Sequence, residues 1–173
     1  MINKNNLINV TLIFFLIVIF CEVAWGLRLN DDQVFGYNCV RLLSSNNRIG
    51  KKVALTFDDV PNIYTKKILK ILRNYRVKAT FFMVGYQVKN NPDLAREIVS
   101  YGHEVGNHSY SHRWDGGKTV DALLQDIEKA ERCIVDITGH MPLYLRPPGG
   151  FIDENIKKAC GMSGYGIVLW TVD

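Results

Sequence analysis

The feature that most constrains the fold is an alternation of short apolar runs with amphipathic segments, which begins near residue 51. Five apolar runs have the length of buried strands: residues 52–57, 79–85, 103–107, 143–146 and 165–172. Four segments between them have the apolar spacing of helices: residues 63–75, 91–99, 119–137 and 153–159. This alternation predicts an α/β fold, in which helices cover the parallel sheet of a β/α barrel or an open sheet.

Polar clusters stand at or just beyond the carboxyl ends of these predicted strands. There are four of them: Asp58-Asp59, the segment His108 to His112, the segment Arg146 to Gly150, and Asp173. In a parallel α/β fold the carboxyl ends of the strands meet at one edge, where active sites are built. Packing alone hardly explains four such clusters, so this edge is the candidate site.

The first 26 residues have a different character. A polar start with Lys4 leads into an apolar stretch over residues 7–21, and Gly26 is a small residue at the end of the segment. This is the layout of a secretory signal peptide. An uncleaved membrane anchor is the alternative, but polar residues such as Glu22 leave less than the roughly 20 apolar residues that a span needs. We expect cleavage after Gly26, a membrane contact only during secretion, and an extracellular protein, with association with the cell wall as a further option.

The rest of the composition excludes several classes of function. Residues 27–50 are polar and rich in asparagine, which indicates an irregular segment before a single domain over residues 51–173. The formal net charge is +4 with dispersed basic residues, so no nucleic-acid partner is expected. Cleavage would leave three cysteines, Cys39, Cys133 and Cys160. Their odd number leaves one without an intramolecular partner, and no C-x-x-C pair indicates a cysteine metal or redox site.

Two of the four histidines, His108 and His112, are four residues apart. On a helical turn they would lie on the same side, about 5–6 Å apart at Cβ. Two neutral imidazoles at that spacing can bind one metal ion. The alternative is a polar turn whose histidines only cap backbone groups, and the spacing alone does not separate the two.

Asp58 and Asp59 are adjacent at a strand end, so their side chains are expected to point in different directions. One can bind a metal while the other stays free as a base. With His108 and His112, one aspartate completes a set of three ligands with an open position, which is how catalytic zinc is held. On their own the two acids could instead cap the next helix; together with the histidine pair they favour a metal site.

Arg146 precedes Pro147, Pro148, Gly149 and Gly150. This rigid turn could bring backbone N–H groups close to a ligand, while the arginine could pair with a neighbouring carboxylate. An ordinary turn with a surface arginine is the alternative. Trp170 could flank a sugar-sized ligand, although a tryptophan on a final strand is more often part of the core.

Three motifs in order carry a family resemblance. Thr56-Phe57-Asp58-Asp59-Val60-Pro61, His-Ser-Tyr-Ser-His at 108–112 and Arg146-Pro147-Pro148-Gly149-Gly150 resemble the first three motifs of the polysaccharide deacetylases, family 4 of the carbohydrate esterases. The resemblance covers about residues 51–173. It implies a distorted β/α barrel and the hydrolytic removal of N-acetyl groups from N-acetylglucosamine polymers. Chitin or chitooligosaccharides are the expected substrate, with peptidoglycan as another.

The resemblance also implies roles for single residues. Asp59, His108 and His112 would bind a divalent metal, usually zinc, with cobalt as an alternative. Asp58 would be the general base that takes a proton from the water attacking the acetamide, and Arg146 would hold Asp58 by a charge-assisted pair.

The resemblance implies roles for four further residues in the outer part of the site. Pro148 and Gly149 would shape the pocket on the acetate side, and Trp170 would contact the substrate. Asp173 would begin the fourth motif, whose aspartate holds Arg146.

The sequence departs from the family pattern at several points. Val60 stands where the family usually has glycine, and Gly149 stands where it usually has an aromatic residue. The Leu-X-His motif that protonates the leaving amine and the closing strands of the barrel are not found before Asp173, so we expect a domain incomplete at its carboxyl end. These departures motivate an alternative function: a catalytically inactive, secreted carbohydrate-binding or cell-wall structural protein that keeps the fold.

Overall fold

Five parallel strands form the central sheet, in the spatial order β1-β2-β3-β4-β5. Their bounds are Thr56–Val60 (β1), Thr80–Met83 (β2), Glu104–Asn107 (β3), Tyr144–Leu145 (β4) and Gly166–Ile167 (β5). This computed structural model describes residues 53–114 and 116–172. The predicted signal peptide (1–26), the segment 27–50 and Asp173 lie outside that range.

Helices connect the strands as the alternation predicts. They are Thr65–Tyr75 (α1), Gly85–Asn90 (α2), Pro92–Ser100 (α3), Val120–Thr138 (α4) and Glu154–Met162 (α5), with a short 3₁₀ segment at Pro148–Gly150. Of the helices within 53–114 and 116–172, none has the length and apolar character needed to cross a bilayer. The predicted α/β fold with a parallel sheet is confirmed; the described strands do not close into a full barrel.

The ends of α4 show why this long helix forms where it does. The side chain of Thr119 accepts a hydrogen bond from the backbone N–H of Ala122, which satisfies one of the free donors of the first turn. Gly139 ends the helix with φ of 73°, a left-handed conformation that glycine adopts at little cost. Both ends agree with the predicted helix.

The core consists of two clusters of buried side chains. One lies around β1, β2 and β3 and the helices α1, α3 and α4, and its largest members include Leu69, Phe81, Met83, Ile98 and Ile134. The other joins α4 and α5 to β4 and β5 through Leu123, Ile127, Leu145, Ile156 and Ile167. Between them the sheet is tightly packed, since a Cβ added to Gly106 would stand 2.4 Å from the ring of Phe82.

The structure corrects the predicted bounds at both edges of the sheet. The first strand begins at Thr56 and includes both aspartates, and the helix Gly85–Asn90 was not predicted. The last strand was predicted over residues 165–172 but comprises only Gly166–Ile167. It ends early because the next two carbonyl groups, of Val168 and Leu169, accept hydrogen bonds from the guanidinium of Arg146.

Candidate metal centre and active site

A β-bulge presents the two adjacent aspartates at one edge of the sheet. Phe57 pairs with Phe81 and Val60 with Met83, so that two residues of β1 stand opposite one residue of β2. Asp59 has φ of 57°, in the left-handed region that aspartate enters more readily than most residues. In a regular strand neighbouring side chains would face opposite sides of the sheet. The bulge removes that restriction, and each carboxylate reaches a different partner.

The two histidines lie in a turn rather than in a helix. His108 directly follows β3, and its backbone N–H donates to the carbonyl of Met83 at 2.9 Å. Ser109 and His112 have φ of 65° and 54°, which no α-helix contains. The prediction of a helical turn is therefore wrong. The turn nevertheless brings the imidazole rings together, with 5.0 Å between their centroids.

Asp59, His108 and His112 form the cluster that the sequence predicted as metal ligands. Asp59 Oδ1 lies 2.9 Å from His112 Nε2 and 3.7 Å from His108 Nε2. One potential ligand atom from each residue lies within 4.8 Å of the others. Two imidazole nitrogens and one carboxylate oxygen are a donor set that suits zinc and similar divalent cations. Asp59 is 56% exposed while His108 is only 2% exposed, so the cluster opens to solvent on one side.

A backbone contact fixes the form of His108 that a metal requires. His108 Nδ1 lies 2.6 Å from the carbonyl oxygen of Arg146, so Nδ1 carries the proton and donates it. Nε2 is then left with a free lone pair on the side of Asp59. Burial lowers the pKa of His108, against the opposing effects of the Arg146 carbonyl and of Asp58. The neutral imidazole, which is the metal-binding form, is thereby favoured.

Arg146 holds the second aspartate of the pair. Its Nη1 donates to Asp58 Oδ1 at 2.7 Å and to Thr56 Oγ1 at 2.9 Å. Nε and Nη2 donate to the carbonyls of Val168 and Leu169 at 3.2 and 3.1 Å. The arginine side chain is 3% exposed and Asp58 30%, so the ion pair is covered on the arginine side and open on the aspartate side. The same side chain thus ties β1 to the segment after β5.

The turn after Arg146 is built as the proline and glycine residues suggest. Pro148 is buried, whereas Gly149 is exposed with φ of 64°. Gly150 also has a positive φ, and a Cβ there would stand 2.6 Å from the Trp170 ring. Trp170 therefore packs on the turn and remains 40% exposed. The substrate-binding roles of Pro148, Gly149 and Trp170 stay predictions, as do the roles of the other site residues; Asp173 lies beyond the part described.

Asp126 is a site residue that the sequence analysis missed. Its carboxylate accepts hydrogen bonds from the backbone N–H groups of Tyr110 and Ser111 at 3.1 and 3.2 Å. It also accepts from the indole Nε1 of Trp114 at 3.0 Å. Asp126 thereby anchors the turn that carries His112 to helix α4. Nothing in the sequence signals this role, because an acid in a long amphipathic helix resembles any other solvent-facing residue.

Asn107 stabilises the other end of the same turn. This fully buried residue accepts a hydrogen bond from the N–H of Ser109 at 2.8 Å. Its amide donates to the carbonyl of Ile127 and to the hydroxyl of Tyr165, and Tyr165 in turn donates to Glu131 at 2.7 Å. Burial raises the pKa of Tyr165 and keeps this hydroxyl a donor.

The fold and the site together define an α/β protein with a candidate two-histidine, one-carboxylate metal centre beside an aspartate–arginine pair. Comparison with known families gives the more specific answer. The model of the polysaccharide deacetylase family matches residues 45–168. The chain belongs to this family, which confirms the resemblance seen in the three motifs.

Individual relatives agree with the family assignment. The chain is 38% identical over 122 residues to a peptidoglycan-N-acetylglucosamine deacetylase of Bacillus cereus, covering 70% of this chain and 57% of the relative. It is 39% identical over 124 residues to the peptidoglycan-N-acetylmuramic acid deacetylase PdaA of Bacillus subtilis, covering 70% and 47%. The chain thus spans about half the length of these relatives.

Solved structures share the fold as well. A family 4 carbohydrate esterase from Streptomyces lividans, in complex with acetate, superposes with a TM-score of 0.68 at 32% identity, covering 71% of this chain and 64% of that one. A protein from Bacillus anthracis, described as a pseudoenzyme of the same family, gives 0.67 at 36% identity, covering 70% and 44%.

Proposed function

We propose that the chain is a metal-dependent hydrolase that removes N-acetyl groups from a polysaccharide containing N-acetylglucosamine. The observation that carries this proposal is the position of Asp58. Arg146 holds it next to the cluster of Asp59, His108 and His112, at the carboxyl edge of the sheet. A base beside a three-ligand metal centre is one arrangement that supports the hydrolysis of an amide.

Asp59, His108 and His112 would hold the metal, with zinc as the first choice and cobalt as a second. The donor atoms already lie within 4.8 Å of one another, and the Nδ1 contact of His108 directs its Nε2 toward Asp59. When bound, a divalent cation supplies Lewis acidity, which polarises a carbonyl group and makes a nearby water more acidic.

The remaining residues of the site move the proton and orient the acetamide. Asp58 Oδ1 is taken by Arg146, so Oδ2 is the oxygen that accepts a proton from the attacking water. In the turn, the N–H of Gly150 already donates to the carbonyl of Pro147 at 2.9 Å. The N–H of Gly149 has no such partner within residues 53–114 and 116–172 and is the group that we assign to the acetamide oxygen.

The polymer itself is part of the proposal. Chitin or chitooligosaccharides are what the motifs lead us to expect, and two relatives are named for peptidoglycan. Both polymers contain N-acetylglucosamine outside the cell, which agrees with the proposed secretion of this chain. Acetate release from chitooligosaccharides and from peptidoglycan, measured side by side with supplied zinc, separates the two.

Replacing Asp58 by asparagine tests the mechanism. Asp58→Asn keeps the shape of the side chain and removes the proton acceptor, so acetate release is expected to fall at least 100-fold while the metal content stays near one per chain. The matched control is Asp93→Asn, an exposed residue of α3 that pairs with Arg96. Activity retained by Asp58→Asn would contradict the role given to this aspartate.

The alternative is a non-catalytic, carbohydrate-binding protein with the same fold. The neighbour from Bacillus anthracis, described as a pseudoenzyme of the family, supports considering a chain that keeps the fold without the activity. Val60, one of the departures that suggested this alternative, lies in β1 with 1% exposure and without the positive φ of Asp59, so it fits the core without a left-handed backbone. The alternative predicts polysaccharide binding without acetate release in the presence of zinc, and measurable turnover excludes it.

A further inference from the structure

An open depression of about 570 Å³ adjoins the metal cluster on the side of His112. Its lining residues are Tyr86, Ser111, His112 and Arg113. The proposed function gives a role only to His112 among them. A polymer bound with one sugar at the metal cluster must place a neighbouring group nearby, and this depression is a space of suitable size.

Arg113 is the charged residue of this depression to which the proposed function gives no role. It is exposed, and its backbone N–H donates to the Ser111 hydroxyl at 3.3 Å, which sets the direction of the chain after the histidine turn. Its guanidinium has no ion pair or hydrogen bond with any other described residue. Two other cations near the site are engaged: Arg146 with Asp58, and Lys129 over the ring of Tyr110 at 3.8 Å. Within residues 53–114 and 116–172, Arg113 is therefore the cation of this depression that is left without an anionic partner.

Tyr86 supplies a second element of a binding site. It lies on α2, and its backbone N–H donates to the carbonyl of Tyr110 at 3.2 Å, which ties α2 to the histidine turn. The side chain is 40% exposed. Its hydroxyl oxygen accepts from Gln87 Nε2 at 3.2 Å and keeps its proton free to donate. An exposed aromatic face next to a donor hydroxyl suits the face and the oxygens of a sugar ring.

We propose that Arg113 and Tyr86 form a subsite that recognises a carboxylate on the sugar chain next to the reacting N-acetyl group. This inference rests on the proposed function and adds its specificity: strands that carry carboxylates are preferred over neutral ones. A guanidinium binds a carboxylate through two parallel hydrogen bonds, which a neutral sugar cannot reproduce. In peptidoglycan strands the carboxylate can belong to the lactyl ether or to the stem peptide.

Binding measurements on the inactive variant Asp58→Asn test the subsite without turnover. The ligands are glycan strands freed of stem peptides, the same strands with the lactyl carboxylate converted to a neutral amide, strands that keep their peptides, and chitooligosaccharides of equal length. We expect acidic strands to bind at least tenfold more tightly than the amide form, as measured by calorimetry with zinc present. Comparing the first and third ligands shows which carboxylate is recognised.

Variants at position 113 complete the test. Arg113→Ala is expected to reduce the preference for acidic strands to less than twofold, and Arg113→Lys to keep part of it, because a lysine makes no planar pair. Arg96→Ala removes the same charge from α3 and is expected to keep the full preference. A preference that persists in Arg113→Ala, an equal loss for acidic and neutral strands, or no binding of any strand overturns the inference. A preference without acetate release by the unmodified chain contradicts the proposed function instead.

Discussion

Replacing Arg146 by methionine is expected to lower the free energy of unfolding by about 4 kcal/mol. The guanidinium makes four contacts of 2.7 to 3.2 Å, to Asp58, Thr56, and the carbonyls of Val168 and Leu169. Hydrogen bonds to charged groups are worth about 1.5–3 kcal/mol each, but four of them on one side chain do not add in full. Removing one partner of a buried ion pair costs about 3–5 kcal/mol, and the 30% exposure of Asp58 lets water replace part of the loss.

Equilibrium unfolding in urea, followed by far-ultraviolet circular dichroism, measures this difference. Methionine keeps the unbranched stem of arginine to about the position of Nε, so the variant reports mainly the loss of the guanidinium, including its contact with the Phe82 ring at 4.1 Å. The control Arg96→Met breaks an exposed ion pair with Asp93 and should cost about 0.5 kcal/mol or less. A loss below about 1 kcal/mol in Arg146→Met would refute the view that this residue joins the two edges of the sheet.

Two further predictions concern groups outside the proposed chemistry. Asp126→Ala removes the acceptor of two backbone N–H groups in the histidine turn and of the Trp114 indole N–H. We expect this change to weaken zinc binding about 10- to 100-fold in a competition titration. An unchanged affinity would show that the turn keeps its shape without Asp126. Burial raises the pKa of the Cys160 thiol from 9.0 to about 12. Iodoacetamide at pH 8 should therefore leave Cys160 of the folded chain unmodified and react with the partly exposed Cys133. Peptide mass spectrometry measures both outcomes. Because of the same shift, the unfolded chain loses the thiol proton at a lower pH than the folded chain, so stability should fall as the pH rises from about 9 to 12. Modification of Cys160 in the native chain would contradict its burial.

The sequence predicted the location of the site better than its local geometry. Because the carboxyl ends of parallel strands share one edge, the positions of Asp58-Asp59, His108 and Arg146 were enough to place them together. The spacing of the histidines predicts one side of a helix, whereas the chain forms a turn with two positive φ angles. Four-residue spacing does not distinguish these conformations, since both bring the rings close.

Other features depend on contacts that no local pattern shows. The bulge at Asp58-Asp59 arises from pairing with β2, and a strand read alone gives no sign of it. The function of Asp126 is set by the packing of α4 on the histidine turn. The early end of the last strand depends on hydrogen bonds from Arg146 to two carbonyl groups that lie far from it in the sequence.

The contacts of Arg146 also bear on the order in which the site is assembled during folding. Asp58 and Thr56 are 88 and 90 positions away from it along the chain, and the two carbonyls it binds follow 22 and 23 positions later. Closing such long loops is entropically costly, and structures rich in distant contacts form slowly. On a growing polypeptide, the proposed metal ligands Asp59, His108 and His112 are synthesised before Arg146 and before the two carbonyls that its guanidinium binds. Under the proposed mechanism, the three ligands therefore exist before the guanidinium that holds Asp58, and hydrolysis begins only after Arg146 has docked against β1.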